Sequence, residues 1–156
     1  MLAILGLSLI ALAMRQQQAN AGKSQRPYTG KSWYPHLLLI AQQRSIPATV
    51  ALSLVRQESN GVEIARGSSG EIGLFQLKKE VALDYARITG NAADISNPND
   101  NIRVGLWYLS WLRDHWKLSL HDALQAYNSG IGNFLNGKIQ FPNYASQILD
   151  RAEGWS

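Results

Sequence analysis

At 156 residues, 46% of them hydrophobic and 17% charged, the chain is long enough for one domain with a proper core and too short for two. It has no cysteine, which excludes disulfides, thiolate nucleophiles and Cys-based metal sites and makes it indifferent to redox compartment. The net charge of +4 and pI near 9.5 come from scattered basic residues whose longest run is Lys78-Lys79, too thin for a nucleic-acid-binding stripe and suited to loose adhesion to a polyanion or to ordinary solubility.

Residues 2–14 form an unbroken apolar and small-residue run, shorter than the roughly 20 residues needed to span a membrane. They fit a signal-peptide core, with Ala19-Asn20-Ala21 as a small-x-small cleavage pattern before Gly22. No Lys or Arg precedes the run, whereas Arg15, Lys23, Arg26 and Lys31 follow it, a distribution that disfavours translocating the C-terminal part and leaves a retained membrane anchor as the alternative to this leading reading of export. Residues 1–21 are therefore expected to be a signal peptide or an anchor. Residues 22–32, with Pro27, Gly30 and no periodicity, read as a polar linker outside the folded core.

The folded part, 33–156, is expected to open at Trp33, with Pro35 in the first turn of a helix over Tyr34 to Ala41. His36 has no second histidine at i+4, so a surface or capping role fits it better than metal binding. Ile46-Pro47 restarts the chain into a second helix that runs through Val50 to Ser59 and ends at Asn60-Gly61. On it Val50, Leu54 and Glu58 recur at i, i+4 and i+8 beside Ala51 and Val55, so Glu58 projects from the face expected to be buried. Burial disfavours a charged carboxylate and raises its pKa toward the range useful to a general acid. The alternative is a glutamate that reaches past the helix end into water or pairs with an arginine.

Between Arg66 and Gln76 the glycines at 67, 70 and 73 predict a shaped loop, and the absence of a closing Lys-Ser/Thr excludes a phosphate loop. Phe75 and Gln76 offer the stacking and hydrogen bonding that a sugar takes, or else Phe75 is simply buried under a turn. Val81, Ala82, Tyr85 and Ile88 space a helix that Gly90 terminates. Asn97 as cap, Pro98 and Asp100 then open the longest helix, to about Trp116, with Ile102, Leu106, Leu109, Leu112 or Arg113, and Trp116 on one face. Trp107 and Trp111 occupy an adjacent strip and are expected in the core rather than as ligand platforms. Ser119 to Asp122 resembles a capping box opening a short helix to about Tyr127, followed by Asn128-Ser129-Gly130 and a glycine-rich loop at Gly130-Ile131-Gly132. Pro142 starts a last helix with Tyr144, Ile148 and Leu149 on its apolar side. No segment makes a convincing strand, so the expected class is all-α.

Five segments occur in a telling order: a helix ending in Glu58-Ser59, then Gly73-Leu74-Phe75-Gln76, then Asn97-Pro98 leading to Asn101-Ile102-Arg103, then Ala126-Tyr127-Asn128-Ser129-Gly130, then Tyr144. Together, over about Trp33 to Arg151, they resemble the catalytic domain of the soluble lytic transglycosylases, a family of the lysozyme superfamily that cuts peptidoglycan. The resemblance implies a lysozyme-like single domain with a glycan-binding groove between its helices, Glu58 as sole catalytic acid/base, and neither cofactor nor metal. It implies substrate-binding places for Ser59, Gly73, Phe75, Gln76, Tyr127, Asn128 and Tyr144. Gln76 and Phe75 would line the groove, Asn128 and Tyr127 would flank the scissile sugar, and Tyr144 would point toward the acid. Two positions depart from the family pattern: Gly67 stands where a serine is frequent, and Phe75 where methionine is usual.

A glycosidase that uses water ordinarily needs two carboxyl groups flanking the bond. This chain offers one well-placed acid; Glu71, the other acid near the motifs, is expected to face solvent or cap backbone. The resemblance implies that the muramyl sugar's own C6 hydroxyl attacks C1, giving a 1,6-anhydro product with assistance from the N-acetyl group. The rivals are a hydrolase of the same fold, similar to goose-type lysozyme, and a non-catalytic glycan-binding assembly protein. The expected partners are peptidoglycan glycan strands, with membrane association through residues 2–14, no nucleic acid, and a monomeric state. The expected location is the periplasm or cell envelope, or else a virion membrane, with local wall opening by a phage virion or a conjugation or secretion system as the task.

Overall fold

The computed structural model of the protein describes residues 26–155; the apolar run at 2–14 and the cleavage pattern at 19–21 lie outside the described residues. Seven helices are present among them: α1 (Tyr34–Gln43), α2 (Ala48–Ser59), α3 (Lys79–Thr89), α4 (Pro98–His115), α5 (Leu120–Ser129), α6 (Ile131–Leu135) and α7 (Tyr144–Glu153). No strand occurs among the described residues, only two isolated antiparallel bridges, Arg66 with Ile72 and Ile72 with Leu77. None of the described helices is long and apolar enough to cross a membrane.

Local chemistry sets most helix ends. Pro35 sits in the first turn of α1. The Asn97 side chain accepts from the N–H groups of Asn99 and Asp100 at 2.9 and 3.3 Å to start α4, and Ser119 Oγ accepts from Asp122 N–H at 3.0 Å to start α5. Asn60 and Gly90, both left-handed, end α2 and α3 and return their N–H groups to Arg56 and Ala86. The C-terminal end of α1 is capped from a distance: Arg113 of α4 donates to the carbonyls of Ser45 and Arg44 at 2.9 and 3.1 Å.

Five helices close a cycle, each packing on the next in the order α2, α1, α4, α5, α7 and back to α2, with α3 laid on α4 and α6 on α5. Within this ring α2 is buried from Thr49 through Val55, more completely than an amphipathic stripe would require. Leu52 and Leu54 are fully buried, each worth about 2 kcal/mol relative to exposure. The polar Ser53 is accommodated because its hydroxyl donates to the Ile148 carbonyl of α7 at 2.8 Å, while Arg151 of α7 donates to the Ser53 carbonyl at 3.2 Å and to Gln57 Oε1 at 3.1 Å.

The loop 66–77 is drawn into the ring. Leu74, Phe75 and Leu77 are buried, and the Phe75 ring lies against Gly105 of α4. One buried side chain makes three of the contacts that fasten the loop: Asn101 accepts from Phe75 N–H at 2.8 Å and donates to the carbonyls of Ile72 and Ile95, both at 2.8 Å. Asn101 thereby satisfies the Phe75 N–H and the Ile95 carbonyl and adds a second donor to the Ile72 carbonyl, which also accepts from Leu77 N–H at 3.0 Å.

Three expectations about the fold need correcting. The segment read as an external linker reaches the domain: the Tyr28 ring lies 5.4 Å from that of Trp33, its hydroxyl donates to Asn60 Oδ1 at 3.4 Å, and the ring covers Gly61. Trp116 lies at the C-cap of α4, past the buried face, and is 39% exposed. The glycine-rich stretch after Asn128 is not a loop throughout, because Gly130 turns the chain once and Phe134 N–H then bonds its carbonyl at 3.0 Å, opening α6. The helix spaced by Val81, Ala82, Tyr85 and Ile88 and ended by Gly90 is present as α3, and because it packs from outside the ring only Tyr85 of the four is buried.

Candidate active site

Glu58 stands in the last turn of α2, where two cavities meet. One, of about 520 Å³, is lined by Glu58, Glu71, Gln76, Lys78, Tyr108, Tyr127, Asn128 and Gln140 among others. The second, of about 380 Å³, is lined by Gln57, Glu58, Asn128, Phe141, Pro142, Asn143, Tyr144 and Gln147. Glu58 and Asn128 belong to both, so the two lobes form one groove with the acid at its waist.

Helix α7 brings Tyr144 to the acid, and its hydroxyl donates to Glu58 Oε1. Burial pushes the Glu58 carboxyl up from 4.5 to about 7; the Tyr144 hydrogen bond works the other way, and the negative charge of Glu71 adds to the rise. The phenols of Tyr144 and Tyr127 are pushed well above their ordinary value, first by their own burial and then by Glu58, so both remain neutral donors. A carboxyl that titrates near neutrality can both give and take a proton in one cycle.

Of the residues expected to bind substrate, Gln76, Tyr127, Asn128 and Tyr144 line the groove. Gln76 adopts a left-handed backbone, φ 45°, and its amide donates to the Gly73 carbonyl at 2.9 Å. Such a conformation costs a non-glycine residue on the order of 1 kcal/mol and persists only where surrounding contacts hold it. The Tyr127 hydroxyl donates to the Phe75 carbonyl at 2.8 Å, which fixes the ring as a wall.

Ser59, Gly73 and Phe75 do not reach the groove. Ser59 is buried, and its hydroxyl donates to the carbonyls of Leu74 at 2.9 Å and Val55 at 3.2 Å, tying helix to loop. Gly73, at φ 76°, lies so close to the Asn101 side chain that any Cβ there would overlap it. Phe75 is 0% exposed: the buried-ring alternative holds, because Asn101 and Gly105 draw this part of the loop inward.

Sequence reasoning missed Glu71, Lys78, Tyr108 and Gln140 as groove residues. Glu71 does cap backbone, accepting from Ser69 N–H at 3.0 Å, but it does so inside the groove, with Lys78 Nζ 3.5 Å from its other oxygen. Tyr108 shares the aromatic strip of α4 with Trp111, their rings stacked at 6.3 Å, and that strip was its only signal. Nothing local marks Gln140, whose place depends on how the α6–α7 connection folds.

A helical ring around one groove, with a single half-buried acid at the groove's waist, defines a lysozyme-like all-α domain. Residues 38–148 match the Transglycosylase SLT domain, and the chain belongs to that family. Among solved structures, an inactive mutant of the lytic transglycosylase Slt from Pseudomonas aeruginosa is similar with a TM-score of 0.70 and 24% identity, over 81% of this chain and 24% of that one. The 70-kDa soluble lytic transglycosylase from Escherichia coli is similar with a TM-score of 0.69 and 19% identity, over 78% of this chain and 23% of that one. A 70-kDa soluble lytic transglycosylase in complex with bulgecin A gives 0.70 and 19%, over 80% and 24%. The chain thus spans about a quarter of the length of each of these proteins.

Proposed function

We propose that the protein is a peptidoglycan lytic transglycosylase that cuts the MurNAc-β-1,4-GlcNAc bond and leaves a 1,6-anhydro-MurNAc end, with Glu58 as the sole acid/base. The observation that carries this reading is one half-buried carboxyl, titrating at about 7, at the waist of a two-lobed groove. Family membership and the likeness to proteins named lytic transglycosylases support the substrate class.

In this mechanism the glycan lies through both lobes with the scissile bond at Glu58. Protonated Glu58 donates to the glycosidic oxygen as the C1–O bond breaks. The resulting carboxylate then takes the proton of the C6 hydroxyl as that oxygen bonds to C1 and closes the anhydro ring. Glu58 ends protonated again, and no water is consumed. Tyr144, a neutral donor on Oε1, stabilises the carboxylate between the two transfers and fixes its direction. Asn128, exposed to both lobes, can bond the sugar on either side of the cut.

A hydrolase would need a second carboxyl as base or nucleophile. Among the described residues Glu71 is the only other one lining the groove, and backbone N–H groups and Lys78 hold it below the usual carboxylate range, which makes it a weak base. This favours the internal hydroxyl over water as the attacking group.

The test is mass spectrometry of the soluble fragments released from purified peptidoglycan, with Glu58→Gln alongside. The expected products are one water lighter than those of a lysozyme and absent with the variant. Reducing-end products would overturn the lyase reading, and no release by the unaltered protein would overturn the enzymatic one.

A further inference from the structure

Three formal charges line the groove: Glu58, Glu71 and Lys78. Glu71 is placed there by its own loop. Ser69 N–H grips one carboxylate oxygen at 3.0 Å, and Lys78 Nζ lies 3.5 Å from the other. The loop also makes room for it, since a Cβ at Gly67 would overlap the Glu71 carboxylate and stand 2.9 Å from its Cβ and 3.0 Å from Gln76 Oε1. Glycine at 67 and a carboxylate at 71 therefore go together: any side chain at 67 would evict Glu71 from this position.

We propose that Glu71 is a positioning residue, a fixed anion in the groove lobe of Glu58 that keeps the acid protonated before the cut and makes its carboxylate a stronger base afterwards. Among the described residues, every other group facing Glu58 is neutral or turned to a different partner. Tyr144 from α7, Tyr127 from α5 and Tyr108 from α4 are phenols held neutral by burial. Arg151 of α7 gives its guanidinium to Ser53 and Gln57, and Arg56 on α2 itself points to solvent. Among the described residues Glu71 is left as the one negative charge lining the groove with the acid; burial is the larger cause of the rise, Glu71 adds to it, and the Tyr144 hydrogen bond, which favours ionised Glu58, opposes both. Because Glu71 is held ionised by its own contacts, it keeps this charge throughout the titration of Glu58. The electrostatic coupling stands on the groove alone, and its catalytic use rests on the function proposed above.

The experiment titrates the Glu58 side-chain carboxyl by carbon NMR in the full chain, alongside the pH–rate profile for peptidoglycan cleavage, in Glu71→Gln and Lys78→Ala. Glu71→Gln should lower the Glu58 midpoint by about half a pH unit, the size expected for one charge at groove distances, and move the alkaline limb of the rate profile down with it. Lys78→Ala removes the countercharge and should move both up. Opposite shifts from two substitutions in one ion pair are not what general loop damage produces. A midpoint that stays or rises in Glu71→Gln overturns the proposal. Should that variant fail to fold, a midpoint that stays or falls in Lys78→Ala overturns it instead. Cleavage that persists with an unmoved limb, despite a shifted midpoint, overturns the catalytic role of Glu71 alone. Absence of cleavage by the unaltered chain overturns that role together with the proposed activity, whatever the NMR shows.

Discussion

Glu58 carries two linked consequences, one for stability and one for rate. Its folded value of about 7 lies above the ordinary 4.5, so between these values the folded state binds more protons than the unfolded chain. The stability contributed by protonated Glu58 is complete below about 4.5 and is lost as pH rises through about 7, a loss on the order of 2–3 kcal/mol. Glu58→Gln cannot ionise, so it should match the unaltered protein in urea unfolding near pH 4 and exceed it by about that amount above pH 7. Equal stability at both ends would mean that the carboxyl is not desolvated. For Tyr144→Phe the rate is the sensitive readout. Losing the donor raises the Glu58 value further, which shifts the alkaline limb of the rate profile to higher pH. It also slows the maximal rate roughly 10- to 100-fold, as befits one hydrogen bond to a charged group; a limb moving downward would contradict the assignment of Tyr144 as donor.

At the scale of elements, the decisive piece is the loop 66–77, which carries groove residues on one side and core residues on the other. Asn101 joins the two roles, because it holds three backbone groups of the chain around it at 2.8 Å. Asn101→Ala would leave the Phe75 N–H and the Ile95 carbonyl buried without this partner, while the Ile72 carbonyl keeps its bond from Leu77 N–H. The expected cost is about 3 kcal/mol or more, measured by denaturant unfolding. Activity should fall further than stability, since Gln76 and Glu71 lose their placement together. A cost below about 1 kcal/mol would show that burial of Leu74 and Phe75 alone holds the loop.

Across the whole molecule, the ring of α2, α1, α4, α5 and α7 lets elements far apart in sequence meet at Glu58. Tyr144 lies 86 residues downstream of the acid it contacts. Tyr28, 32 residues upstream of Asn60, packs at the same α2 terminus against Trp33 and Gly61. Tyr28→Ala should therefore lower the melting temperature by a few degrees, about 1–2 kcal/mol. Tyr28→Phe keeps the ring and loses only a long 3.4 Å hydroxyl contact, so its melting temperature should barely change. Equal losses in the two variants would place the stabilisation in the hydroxyl rather than in the ring.

The elements most legible from sequence are those governed within one helical turn. Pro35, Asn97, Ser119 and Gly90 announced helix ends because capping acts on backbone groups two to four residues away. The spacing of Val50, Leu54 and Glu58 put the acid on the buried face for the same local reason, since three to four residues return a helix to one side. The loop had no such period. Its glycines predicted irregular backbone but not its orientation, which Asn101, Ser59 and Tyr127 impose from three separate helices. Their pull turns Phe75 into the core, where the family resemblance implied the groove, and leaves the backbone-capping Glu71 on the groove wall. By itself the sequence determined the helices, their ends and the acid at the end of α2, because each depends on neighbours along the chain. Only the tertiary structure decided which loop side chains share the groove with that acid, because those placements depend on contacts between segments that no local pattern connects.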